Sequence, residues 1–160
     1  MIAGGPPTRR RLTCGAILLA LSLSGAGCGG NDVDASNAYV DSVNVAQTQF
    51  ASSFERLARE ITSASSPAQD RRTLRSIETA IAATVANLRK IKPPDRVQAQ
   101  HDQLVEAIAG YGESIGVTTQ ALGGSAAKAT AAEARLAADT ERTSTRVTNA
   151  IAAINQKLRE

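Results

Sequence analysis

The chain has little of what most binding and catalytic proteins are built from. Its 160 residues hold no tryptophan, two tyrosines, two phenylalanines, one histidine, one methionine and two cysteines. The lack of aromatics removes the base-stacking platforms of single-strand nucleic-acid binders, and it argues against a β-sheet core, which favours aromatic and β-branched residues. One histidine rules out the paired Glu-x-x-His helices of four-helix di-metal sites. Two cysteines leave no spacing for a zinc knuckle, a thioredoxin-like pair or haem attachment. No phosphate-binding glycine loop and no nucleophile elbow is present, so the sequence carries no cofactor motif and points away from an enzyme.

Charge is the next thing missing. The net +3 and the pI near 9.2 come largely from Arg9, Arg10 and Arg11, the only three of the 18 Lys and Arg ahead of Cys28. Fifteen basic residues then face fifteen acidic ones. A balanced surface lacks the excess that neutralises phosphates, which excludes nucleic acid as an expected partner.

What is present begins with an address. The three arginines precede an apolar run, "LTCGAILLALSL", from Leu12 to Leu23, followed by Ser24, Gly25, Ala26, Gly27 and Cys28. A basic start, a short apolar centre and small residues before a cut make residues 1–27 an expected secretory signal peptide. As a helix, Leu12 to Ala26 spans only about 22 Å, short of the ~30 Å hydrocarbon core. Small residues directly ahead of a cysteine resemble the signal of bacterial lipoproteins, although Gly25 stands where that family usually carries leucine or another aliphatic residue. The resemblance implies that Cys28 receives diacylglycerol and becomes the first residue of an exported chain. That chain would be lipid-anchored to the outer face of the cell membrane or another envelope membrane. Ordinary cleavage after Ala26 is the alternative, and it would leave Cys28 a free thiol near the new terminus. Thr8 to Leu12 also faintly resembles a twin-arginine export signal.

Residues 28–35 read as a flexible, glycine-bearing tether. Residues 36–160 then read as four helices. Val43, Phe50, Phe54, Leu57 and Ile61 form one apolar stripe over residues 36–63, with Gln47 its single polar member. Leu74, Ile77, Ile81, Thr84, Leu88 and Ile91 form the next over 67–91, opened by a Ser66-Pro67-x-Gln69 capping box and closed by Pro93 and Pro94. Val97, His101, Leu104, Ile108, Tyr111, Ile115, Thr118 and Leu122 form the third, with Gly110, Gly112 and Gly116 allowing either close approach or a bend. After Gly123 and Gly124, Ser125 opens the fourth, which ends near Leu158. Threes and fours sustained over these turns describe helices packed on one face. Short connections predict an all-α, antiparallel up-down-up-down four-helix bundle about 38 Å long.

That topology gathers Arg89, Lys90, Lys92, Arg96, Lys157 and Arg159 at the same end as Cys28, where they become expected contacts to anionic headgroups. Ordinary solvated helix termini would look the same. His101 reads as a partly buried histidine with local partners, and Tyr39 and Tyr111 as core. Thr84, Thr118, Thr140 and Thr143, with the alanine-rich start of the fourth helix, suggest either a thinly packed groove or a narrow closed bundle, the second being favoured. Residues 88–111 resemble a helix-PP-helix hairpin recurring in small bacterial lipoproteins, a type that implies no activity and carries over no functional residue. The expected role is a non-catalytic, lipid-anchored interaction or scaffold module that meets an envelope protein. The alternative is a carrier of a small apolar ligand or lipid between its helices.

Overall fold

A computed structural model describes the backbone of residues 30–62 and 64–160, with side chains from Val33 onward. Cys28, Cys14 and the expected signal peptide lie outside the described residues. The described chain is all-helical: α1 (Gly30–Ala58), α2 (Pro67–Leu88), α3 (Gln98–Ala121) and α4 (Ala126–Arg159), with a short 3-10 helix (Asp95–Val97) ahead of α3. The expected helical class and the number of long helices are both observed.

Local chemistry accounts for the boundaries. Ser66 is extended (φ −83°, ψ 155°), and its Oγ accepts the N–H of Gln69 at 3.2 Å while Pro67 occupies the first turn. At the far end of α2, the N–H groups of Lys90 and Ile91 bond back three residues to Asn87 and Leu88, tightening the turn before Pro93. Ser125 repeats the cap for α4, accepting from the N–H of Lys128 at 3.4 Å.

Two expected boundaries move. The first helix begins at Gly30, so residues 30–35 are helical where a tether was expected. Once Ser36 and Tyr39 are held by tertiary contacts, extending the helix toward the N-terminus is propagation, which adds a bond for each residue fixed. The same helix stops at Ala58 rather than near residue 63. There Ser65 Oγ accepts the N–H of Thr62 at 3.1 Å, and the Thr62 hydroxyl accepts the N–H of Ala64 at 3.2 Å. Short polar side chains thus offer the backbone an alternative to the helix.

Packing follows chain order. Helix α1 lies along α2, α2 along α3 and α3 along α4, and the 3-10 helix touches both α3 and α4. Helices α1 and α4, the two ends of this series, have no comparable contact with each other. The core runs through all four: Val43, Phe54, Leu74, Ile77, Ile81, Leu88, Val97, Leu104, Ile115, Leu136 and Ile154 are buried. Each fully buried Leu or Ile among them stabilises the fold by about 1.5–3 kcal/mol.

The glycine question resolves into close approach at Gly112. A Cβ there would stand 3.0 Å from Cγ2 of Ile81, so α3 approaches α2 closely enough that any larger residue requires Ile81 to shift. At Gly110, two residues earlier, a Cβ would meet nothing within 4 Å.

Candidate functional site

The gap between α1 and α4 is the candidate site. It forms an open groove of about 420 Å³. Helix α1 supplies one wall with Asn44, Gln47, Thr48, Ala51 and Glu55, and α4 the other with Thr143, Val147 and Ile151. The floor is Thr84 and Leu88 of α2 and Leu104, Ile108 and Tyr111 of α3, and Phe50 and Phe54 close the space from the α1 side. The narrow closed bundle favoured from the alanine-rich segment is therefore not formed at this level. The groove is also not flanked by that segment: residues 126–135 supply none of its lining and are mostly exposed.

Sequence explains why the wall is thin. Gln47 interrupts the apolar stripe of α1 between Val43 and Phe50, and Thr84 and Thr143 sit where neighbouring turns carry Ile, Leu or Val. A threonine is too short to bridge a gap that a leucine would fill. The Thr84 hydroxyl donates to Ala80 O of its own helix at 2.9 Å, so its hydrogen-bonding demand is met without anything in the groove. Tyr111 is buried at the floor, with its phenol oxygen 3.2 Å from the Thr140 hydroxyl, which itself donates to Leu136 O at 2.8 Å. Glu55 is the only charged side chain on the lining.

At one end of the molecule the groove is bounded by a buried polar contact. His101 is only 2% exposed, its Nε2 lies 3.1 Å from Leu88 O, and its Nδ1 lies 3.2 Å from the Tyr39 hydroxyl. A carbonyl only accepts, so Nε2 carries the proton, Nδ1 accepts, and Tyr39 donates. The rings meet edge to face, with centroids 5.7 Å apart. Burial drives the His101 pKa below its ordinary value, against smaller upward pulls from the Leu88 carbonyl and Asp102. Burial also pushes the Tyr39 phenol up, keeping it protonated. The lone histidine, expected to find local partners, is engaged at both nitrogens.

The six cations expected to gather near Cys28 are distributed over the connection after α2, the 3-10 helix and the last turn of α4. Arg89, Lys90 and Lys92 are exposed in the connection after α2. Arg96, in the 3-10 helix, donates from Nη2 to Ser36 Oγ at 2.7 Å and so ties that helix to α1. Lys157 and Arg159 occupy the last turn of α4, where Lys157 pairs with Glu160 at 2.8 Å. Two of the six thus have intramolecular partners.

Among the described residues, no group of three or more His, Cys, Asp or Glu is arranged to hold a metal, and no helix is long and apolar enough to cross a membrane. No family model, curated protein or solved structure matches the chain.

Of the four threonines grouped from the sequence, Thr84 and Thr143 line the groove and Thr118 and Thr140 do not, while Gln47 and Tyr111 join them only in the fold. Sequence reasoning passed over Asn44, Thr48, Ala51 and Glu55, which lie on the flank of α1 away from its main apolar stripe. Their spacing of three and four was the available signal, but it marks a second face and says nothing of what that face looks onto.

Proposed function

We propose that this is a non-catalytic, lipid-anchored protein of the bacterial cell envelope that carries a small apolar ligand in the groove between α1 and α4. The groove carries this reading. Its volume lies in the range of small-molecule sites, and such sites are concave, mostly apolar and bear a few polar groups, as this one does. A scaffold reading calls only for an outer surface and leaves the groove without a role, so the carrier reading is preferred.

Anchoring rests on the sequence ahead of α1, with Cys28 as the acylated residue. The up-down-up-down arrangement belongs to the same proposal. It is supported by the contacts of Ser36 with Arg96 and of Tyr39 with His101, which bring the start of α1 to the start of α3. The bond of Ser114 to Asp139 pairs the later part of α3 with an early part of α4. In that arrangement Arg89, Lys90 and Lys92 face the membrane end and add weak attraction to anionic headgroups.

Two measurements test the proposal. Mass analysis of the mature N-terminal peptide from native membranes is expected to find acylated Cys28; an unmodified peptide starting at Gly27 overturns the anchor. Organic extraction of the natively purified protein is expected to release an apolar molecule that raises the melting temperature of the stripped protein when restored. An empty extract, with a crosslink to one defined envelope protein, would favour the scaffold instead.

A further inference from the structure

The lining of the groove says what kind of apolar molecule suits it. Along α1 it runs from Asn44 to Glu55. Eleven residues at 1.5 Å each make that about 16 Å. Hydrocarbon groups pack at about 4 Å from their neighbours, so the groove is several times longer than a single chain is wide. Its two ends differ. Tyr39 touches His101, which is bonded to Leu88, so Leu88 lies near the level of Tyr39. Glu55 is sixteen residues farther along the same helix, about 24 Å. The end near Leu88 is aliphatic, with Leu104, Val147 and Ile151. The other end holds Phe50 and Phe54, tilted against each other with centroids 5.5 Å apart, and the Glu55 carboxylate one residue on. Glu55 makes no ion pair with another described residue, and no Lys or Arg lines the groove.

An exposed carboxylate at the edge of a groove that two phenylalanines also line suits a positively charged nitrogen, which is attracted by negative charge and by aromatic rings. The same carboxylate disfavours an anionic head, although the exposed Arg59 donates from Nε to Glu55 O at 3.1 Å. Resting on the carrier reading above, we infer that the groove takes a single aliphatic chain ending in an ammonium head, with the head at Phe50 and Glu55 and the tail toward Leu88 and Ile151.

The test uses the full chain after solvent extraction, with displacement of a bound apolar fluorescent dye as readout and all amphiphiles below their micelle concentrations. Alkyltrimethylammonium, 1-alkanol and fatty acid of equal length are compared. Affinity is expected to rise about fourfold per added methylene until the chain fills the groove. The ammonium should bind several-fold more tightly than the alkanol, and the fatty acid most weakly. Glu55→Gln should erase the preference for ammonium over alkanol, and Phe50→Leu should reduce that preference. A fatty acid that binds as tightly as the ammonium, or a Glu55→Gln variant that keeps the preference, overturns the head-group assignment alone. If the dye does not bind and no amphiphile raises the melting temperature, the carrier reading fails with it.

Discussion

The hydroxyl of Tyr39 and Nδ1 of His101 lie 3.2 Å apart in the interior, joining α1 to α3 across 62 residues of sequence. Because His101 spends its other nitrogen on Leu88 O, this bond has one donor direction and no spare partner. Tyr39→Phe keeps the ring and leaves Nδ1 an unsatisfied buried acceptor. It is expected to destabilise the protein by about 1–3 kcal/mol in denaturant unfolding, with an unchanged m-value.

The same contact sets a pH dependence. His101 has a folded-state pKa below its ordinary value of 6.5, so the folded protein resists taking the proton that the unfolded chain accepts. Stability from this group is complete above about pH 6.5 and declines as pH falls from there through the lowered folded value. A urea midpoint series from pH 8 to pH 4 should show this decline, and His101→Gln should flatten it above pH 5. Asp139 contributes separately: burial tends to raise its pKa, but the Ser114 hydroxyl, Arg142 and Arg135 together hold it below its ordinary value. Its stabilising share is lost only at more acidic pH.

Two glycines on α3 should respond in opposite ways. At Gly110 an added methyl meets open space, so Gly110→Ala is expected to stabilise by about 0.5–1 kcal/mol through helix propensity. At Gly112 a larger side chain drives into Ile81, and Gly112→Val is expected to cost about 1–3 kcal/mol. Thermal unfolding of the two variants checks both, and a stabilised Gly112→Val would mean that α2 and α3 are not held at this separation.

Filling the groove should separate stability from uptake. Thr143 is buried at its α4 wall, and Thr143→Leu extends an aliphatic side chain into the space. The variant is expected to gain about 0.5–2 kcal/mol while losing dye and alkyl-chain binding. A variant that binds alkyl chains as well as the parent would place the ligand elsewhere.

The cap at Ser66 offers a local control at a residue that does not line the groove. Ser66→Ala removes the acceptor for the Gln69 N–H and should cost about 1 kcal/mol without changing ligand affinity.

Local sequence chemistry sets the helical class, the number of long helices and most of their ends. These depend on near neighbours: Ser66 and Pro67 open α2 whatever surrounds it, Pro93 and Pro94 close the segment after it, and the three-four spacing marks the buried faces of all four helices. Where near neighbours compete, as among Thr62, Ser65 and their backbone, or where a tertiary anchor extends a helix past Ser36, the expected ends of α1 moved.

Which helix covers which face depends on long-range packing. A periodic stripe reports that a face is apolar, not what packs on it, so the partnership of Tyr39 with His101 and the contact of Gly112 with Ile81 had no local signature. The groove has the same origin. Gln47, Thr84 and Thr143 on their stripes are compatible with tight packing or with a gap, and the choice fell to the placement of α1 against α2 and of α4 against α3, which leaves the two outer helices apart.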